Sequence, residues 1–522
     1  VIDPSSCTAP GNPALASITS IEKYRRTLIF QGLGCPATQI RLLGGGATQF
    51  TINAGEPSIS GSQFDIGLFV SDDWRVSPAL TLNLGLRYET QNNIHDGRDF
   101  APRLALAWAP GATTKTSKVK TVVRAGFGVF YDRFALANTL TALRYNGIVQ
   151  QQYVVTNPDF FPTIPSIPVL AAFQTTQTIQ KISPTLRAPY IIQSAISVER
   201  QLPHNTTLAA TYANAHGLHL LRSQDINAPL PGTFNPLVPG SGVFPLGSAG
   251  PVFLMESSGL YNQNQLIAFL NSRYSKRVSF SGSYVLNYAR SNTDGLGTFP
   301  AKPYDFTGEY GPATTDVRHR ATFNGTINTK WNIRLSPFVV IQSGPPFDIT
   351  IGRDIYGTTL FNARPGIAID RAKPGLIQTK YGLLDPNPTP NQPTLTRNFG
   401  RGPGQLMINL RVQKIFEFGK GENSGAATTG QPGSGPRGGT PGVFTPTGGP
   451  GGPASQSAGH RYSLSISMSI RNIINHTNPG PIIGNITSPL FGLANQPSDA
   501  GGFGFSESAN NRRLELQTRL TF

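Results

Sequence analysis

The chain is short of charge. Asp, Glu, Lys and Arg supply 13% of its 522 residues, roughly half the share of an ordinary soluble domain. Long apolar runs are also missing. Nowhere do about eighteen apolar residues follow one another, which excludes a bundle of membrane-spanning helices. Cysteine is nearly absent: Cys7 and Cys35 stand alone, in Pro/Gly-rich surroundings that suit either a loop disulfide in an oxidising compartment or two free thiols. The sequence has no Cys-x-x-Cys, no His-Glu-x-x-His and no Gly-x-Ser-x-Gly, so the usual marks of a redox, zinc or acyl-transfer centre are lacking. No catalytic residue, cofactor or metal is expected. The charge that is present is basic, with a net +16. No Lys/Arg cluster interleaved with aromatics accompanies it, so nucleic acid is not an expected partner.

What the chain does have is glycine and proline, 57 and 44 residues, and a pervasive period of two. Phe64, Ile66, Leu68, Val70, Trp74 and Val76 alternate with Asp65, Ser71, Asp73 and Arg75. After Ser77-Pro78 the pattern restarts, with Leu80, Leu82, Leu84, Leu86 and Tyr88 set against Thr81, Asn83, Arg87 and Glu89. Only a strand sends successive side chains to opposite faces. Thirteen such segments are expected, near 63–76, 79–90, 101–109, 120–131, 190–201, 205–214, 261–274, 277–289, 317–329, 332–342, 405–418, 460–472 and 511–522. Each is close to the ~9–11 residues that a tilted strand needs to cross hydrocarbon.

The connections sort by length. Short links at Ser77-Pro78, Pro203-His204, Ser275-Lys276 and Lys330 alternate with long ones at 132–189, 215–260, 290–316, 343–404 and 473–510. A membrane barrel has this sidedness, with short turns on the periplasmic side and long loops outside. The expected fold is therefore all-β: an antiparallel transmembrane β-barrel of about 13–14 strands, with long extracellular loops in an outer membrane. Residues 419–459, rich in Gly, Pro, Ser and Thr, read as a disordered insert on the periplasmic side.

Facing follows from the alternation. Arg75, Arg87, Arg103, Arg124, Arg411, Arg461, Arg513 and Arg519 fall on the polar rows and are expected in the lumen. Trp74, Tyr88, Trp108 and Trp331 lie at strand ends, where barrels carry an interfacial aromatic girdle. His216 and His219 lack a third ligand at metal spacing, so they read as strand-end residues. The cluster Asp316, Arg318, His319 and Arg320 reads as a polar network in the lumen or at a loop base. Asp72 and Asp73, being adjacent, face opposite sides of a strand and cannot form a catalytic pair.

Several stretches together resemble the barrel of TonB-dependent receptors, closest to the Oar-like branch. They are Phe69-Val70-Ser71-Asp72-Asp73-Trp74-Arg75-Val76, continuing through Leu80 to Glu89, then Ala101-Pro102-Arg103-Leu104, Arg124 to Asp132 and Asp316-Val317-Arg318-His319-Arg320. Gln342-Ser343-Gly344-Pro345-Pro346-Phe347, Arg401-Gly402-Pro403-Gly404, Arg471 to His476 and the terminal Leu514 to Phe522 complete the set. The resemblance implies a partial barrel here, part of one of about 22 strands enclosing a plug, import of a ligand, and coupling to the TonB complex. It implies outer-membrane lipid and the barrel-assembly machinery as further partners, with Phe522 as the C-terminal assembly residue. No plug, coupling box or signal peptide is visible. Residues 1–62 are expected to be the remnant of an extracellular loop and 63–522 the C-terminal portion of the barrel. The ligand is not legible. Two other readings compete: a passive porin-like or adhesin-like barrel, and a secreted soluble β-sheet binding protein.

Overall fold

A computed structural model describes residue 7 and residues 19–114, 119–172, 176–238, 240–247, 250–420, 460–494 and 511–521. Thirteen strands follow one another in a single antiparallel sheet. They are β1 (Asp65–Ser77), β2 (Leu80–Gln91), β3 (Asp99–Trp108), β4 (Thr121–Tyr131), β5 (Tyr190–Leu202), β6 (Thr206–Asp225) and β7 (Val252–Ser272). The path continues through β8 (Val278–Ser291), β9 (His319–Asn328), β10 (Ile333–Gln342), β11 (Gln405–Lys420), β12 (His460–Arg471) and β13 (Arg513–Thr521). Each strand pairs with its neighbours in chain order, as an up-and-down meander. All thirteen expected segments are strands. Among the described residues β1 and β13 are paired on one side only.

The register sets two faces. Leu84 stands opposite Leu104, and Leu104 opposite Phe127. Further along, Leu208 faces Leu270, Val339 faces Ile408, and Met468 faces Leu516. Because directly opposed residues share a face, these rows form one apolar surface. The interleaved positions form the polar surface, where Asn83 faces Ala105, Arg411 faces Ser469 and Ser465 faces Arg519. Apolar side chains on the outward rows stay exposed, Leu68, Leu104, Ile196 and Leu516 among them. A soluble sandwich would bury such rows against a second sheet. Among the described residues no second layer covers them, as expected of a surface that meets acyl chains.

Two strands run past the membrane. β6 has 20 residues and β7 has 21, about twice what a bilayer needs. Their upper halves, with register shifts after Gly217 and Leu220, rise as a stalk among the long connections.

Apart from Val340 and Met407, which meet on the inner face of the sheet, the buried apolar clusters of the described residues lie in those connections and in the N-terminal part. Ile349, Ile351, Ala363, Leu384, Leu395 and Ile486 form one cluster. Ile94, Phe134, Leu186, Ala188 and Met255 form another. Small sheets brace them, such as the 366–367, 377–379 and 382–385 strands. The N-terminal part adds helices Ser20–Gly32 and Ala37–Leu42, packed around Phe30, Ile40 and Leu43. Thr19 caps the first helix by accepting the Glu22 N–H. Cys7 and Cys35 are joined by a disulfide at this helix pair. The strand Gln49–Gly55 then pairs with Gln150–Thr156 of the long connection after β4. The expected loop remnant thus has helical structure of its own.

Candidate functional site

The polar face carries the arginines of the alternating rows. Arg124 donates to Glu199 at 2.7 Å across β4 and β5. Arg87 pairs with Glu89 on its own strand. The Arg103 guanidinium lies 4.7 Å from the centre of the Phe130 ring. Arg411 donates to the Ser467 hydroxyl at 3.1 Å, and Arg513 pairs with Glu515 at 3.3 Å. Arg75 lies opposite Thr81, and Asp73 accepts from the Asn83 amide on the same face. Arg519 shares its row with Ser465. The structure distributes these arginines around the arc of the sheet and does not gather them into one cluster. The side chains of Arg461 and Phe522 lie outside the described residues, as do residues 421–459 of the expected insert.

The tryptophans at the strand ends are exposed. Trp74 lies opposite Leu82, Trp108 opposite Leu80, and both are exposed, as is Trp331 in the turn after β9. Tyr88 packs on Phe100 with ring centres 5.0 Å apart at the other end. Asp72 departs from the pattern: it stands on the outward face, opposite Leu84. His216 and His219 part company, since the bulge after Gly217 turns the chain. His219 has φ of 53° and packs on Tyr190. No group of three metal-ligating side chains occurs among the described residues.

The sequence pattern did not reveal the cluster in the long connections. Arg364 is buried, and its guanidinium donates to both Glu309 oxygens at 2.9 Å and to Asp348 at 3.0 Å. Burial alone would lower the Arg364 pKa, but Asp348 and Glu309 outweigh it and raise it. Arg397 pairs with Asp294 and keeps its Nε without a hydrogen-bond partner. Beside these groups opens a cleft of about 360 Å³, lined by Thr298, Phe299, Asp348, Phe361, Asn362 and Arg397. The elements come from two separate connections, 292–318 and 343–404, which is why no local motif announces them. The cleft offers one cation, one carboxylate, an amide and two rings, enough to orient a polar ligand with an apolar part.

The loop-base network around Asp316 ties this cap to the barrel. Asp316 accepts from the Ala289 N–H at 3.0 Å and from Arg318 at 3.0 Å, and also pairs with Arg401. Arg320 points the other way, donating to the Gln342 side chain at 3.1 Å. The Asp-Val-Arg-His-Arg run is thus a loop-base brace.

A one-layer meander with an uncovered apolar outer face, a polar inner face and loops gathered at one end is the architecture of an outer-membrane β-barrel. The chain belongs to the family described as the outer membrane beta barrel domain, whose model matches residues 36–99 and 94–424. No curated protein matches it. Among solved structures it is similar to the outer membrane transporter YddB of Escherichia coli, at 12% identity and a TM-score of 0.46, over 88% of this chain and 44% of that one. It is also similar to the ferric enterobactin receptor PfeA of Pseudomonas aeruginosa, at 12% identity and a TM-score of 0.44, over 90% of this chain and 46% of that one. A third is the FrpB iron transporter of Neisseria meningitidis, at 11% identity and a TM-score of 0.41, over 87% and 44%. The chain spans less than half the length of these structures.

Proposed function

We propose that this sheet is one arc of a receptor barrel of the TonB-dependent type, in which the looped end captures a ligand for import through the lumen. The observation that carries this reading is the braced cap itself. Its connections are held by buried ion pairs and their own hydrophobic clusters, and they enclose a polar cleft above the barrel end. Binding residues concentrate on loops fixed by a rigid scaffold. The one-sided pairing of β1 and β13 supports a larger closed barrel, because hydrocarbon penalises each unpaired backbone group by several kcal/mol. In that barrel a plug domain fills the lumen, and its carboxylates meet Arg87, Arg103, Arg124 and Arg411. The TonB complex energises transport, and the barrel-assembly machinery inserts the protein. The pairing of residues 49–55 with 150–156 supports an extracellular position for the N-terminal part.

Liposome swelling in arabinose tests the reading. The whole receptor that contains this arc, reconstituted, is expected to admit the sugar no faster than protein-free vesicles, because a plug fills its lumen. Swelling at the rate of a general porin would favour the passive-channel alternative and overturn the receptor reading. A detergent-free extract that retains the chain in its aqueous phase would overturn both.

A further inference from the structure

From the geometry of the outward face at the looped end we infer a seat for the phosphorylated sugar headgroup of an outer-leaflet glycolipid, built on β6, β7, β8 and β9. The outward row on these strands begins apolar near the short turns. Leu208 and Leu270 face each other, then Ala210 and Ala268, then Tyr212 and Leu266. Above that level the chemistry changes. Asn214 stands opposite Asn264, which stands opposite Tyr288. One step higher, His216, Asn262 and Arg290 form a continuous row across three strands.

Three adjacent outward asparagines are out of place against acyl chains, where unmatched amides are costly. They are linked to one another: Asn214 Nδ2 donates to Asn264 Oδ1 at 3.0 Å, Tyr212 Oη donates to the same oxygen at 2.7 Å, and Asn264 Nδ2 donates to Asn262 Oδ1 at 3.3 Å. Such an amide row matches sugar hydroxyls. Cations rim it. Arg290 is exposed, stacked 5.2 Å from the Tyr310 ring centre and tied to the Tyr310 carbonyl at 3.1 Å. Arg318 lies 3.8 Å above Tyr288, and His319 bonds the Tyr284 hydroxyl at 2.8 Å. Rings fix the two guanidinium groups at modest entropic cost while leaving N–H groups for an anion.

The charge is one-sided. Below the register shifts of β6 and β7, the outward positions of the four strands carry no Asp or Glu, and their basic residues, His216, Arg290 and His319, all stand at the looped end; Glu256, higher on β7, is paired with Arg222. Asp316, the carboxylate nearest Arg318, is buried beneath it and occupied by Arg318, Arg401 and a backbone N–H. The seat continues the apolar surface that meets the acyl chains, so a lipid lying there would place its tails on Leu266 and Leu286 and its phosphates on Arg290 and Arg318.

Native mass spectrometry of the full chain in detergent carrying diphosphoryl lipid A tests this. Wild type is expected to retain the lipid, and the His216→Gln/Arg290→Gln variant to retain it about tenfold less. Arg290→Lys is expected to restore retention in part, and Arg277→Gln, in the turn at the opposite end, to leave it unchanged. Migration as a folded band on an unheated gel confirms that each variant is assembled. Equal retention by wild type and double variant would overturn the seat. So would equal retention of the fully dephosphorylated disaccharide lipid. Phosphatidic acid held as tightly as lipid A would overturn the role of the asparagine row and leave only a general anionic-lipid contact.

Discussion

Gly344 lies against the backbone of Gly402: a Cβ placed at 344 would come 1.8 Å from the Gly402 carbonyl oxygen. Here the chain leaves β10 and, some sixty residues later, re-enters β11. The two stems cross, with Gly402 donating its N–H to the Pro345 carbonyl at 3.0 Å and residues 346–347 pairing with 400–401. No side chain fits at the crossing, and the obstacle is backbone, which cannot rotate away. Gly344→Ala is expected to destabilise the cap by about 3–5 kcal/mol while leaving the sheet assembled. Limited proteolysis checks it: cleavage within 343–404 should rise sharply, with the barrel fragment still protected.

That crossing also marks how far the sequence could be read. The strands were legible because lipid on one side and a polar interior on the other impose a strict period of two, as in Leu80 to Tyr88. Loop sidedness followed from connection length. The stretches Gln342 to Phe347 and Arg401 to Gly404 could be recognised as motifs, but not that they touch. Arg364, Glu309 and Asp348 come from distant points of two connections, and no spacing rule unites them. The doubled length of β6 and β7 was hidden as well, because the polar run Asn214 to His219 breaks the apolar alternation before the strands end. The helix at 20–32 lies in a stretch with little apolar periodicity. It packs chiefly through Phe30, too faint a stripe to read.

The Arg364 cluster yields a second prediction. Glu309 and Arg364 are both about 2% exposed at the side chain, so removing one strands the other in a poor solvent. Arg364→Met is expected to cost about 3–5 kcal/mol of cap stability. Glu309→Gln added to it should recover part of that loss, since a neutral amide is cheaper to bury than an unpaired carboxylate. A double-variant cycle on protease resistance of residues 343–404 checks this. A double variant weaker than the single by the full sum of both losses would contradict the coupling.

Acid should loosen the same cap through Asp385. Its carboxylate is buried, which alone would raise its pKa. Lys373, donating at 2.5 Å, and the Asn387 N–H at 2.9 Å outweigh that and hold it below the usual value of 3.8. A depressed folded pKa stabilises the fold above the unfolded value and loses that contribution as pH falls through the folded one. Wild type should therefore hold its full contribution at neutral pH and lose it progressively below about pH 4. Asp385→Asn should start weaker and show a shallower acid limb, read as pepsin and thermolysin susceptibility of the cap across the range. Parallel acid limbs would assign the sensitivity to other carboxylates.

The facing of the strands is open to a direct test at β3. Leu104 sits mid-strand on the outward surface between Leu84 and Phe127, while Ala105 lies on the inner surface between Asn83 and Gly126. Leu84 would be a poorer probe, because Asp72 stands directly opposite it and could neutralise an introduced arginine. Leu104 has no carboxylate across from it on either neighbour. An arginine at mid-bilayer on the lipid side costs about 2–4 kcal/mol, and little in a wet lumen. Leu104→Arg is accordingly expected to lower the folded yield in lipid vesicles strongly, and Ala105→Arg only slightly. Urea titration of refolded protein measures both. If the two variants assembled equally well, the leucine rows could not be the surface that meets acyl chains.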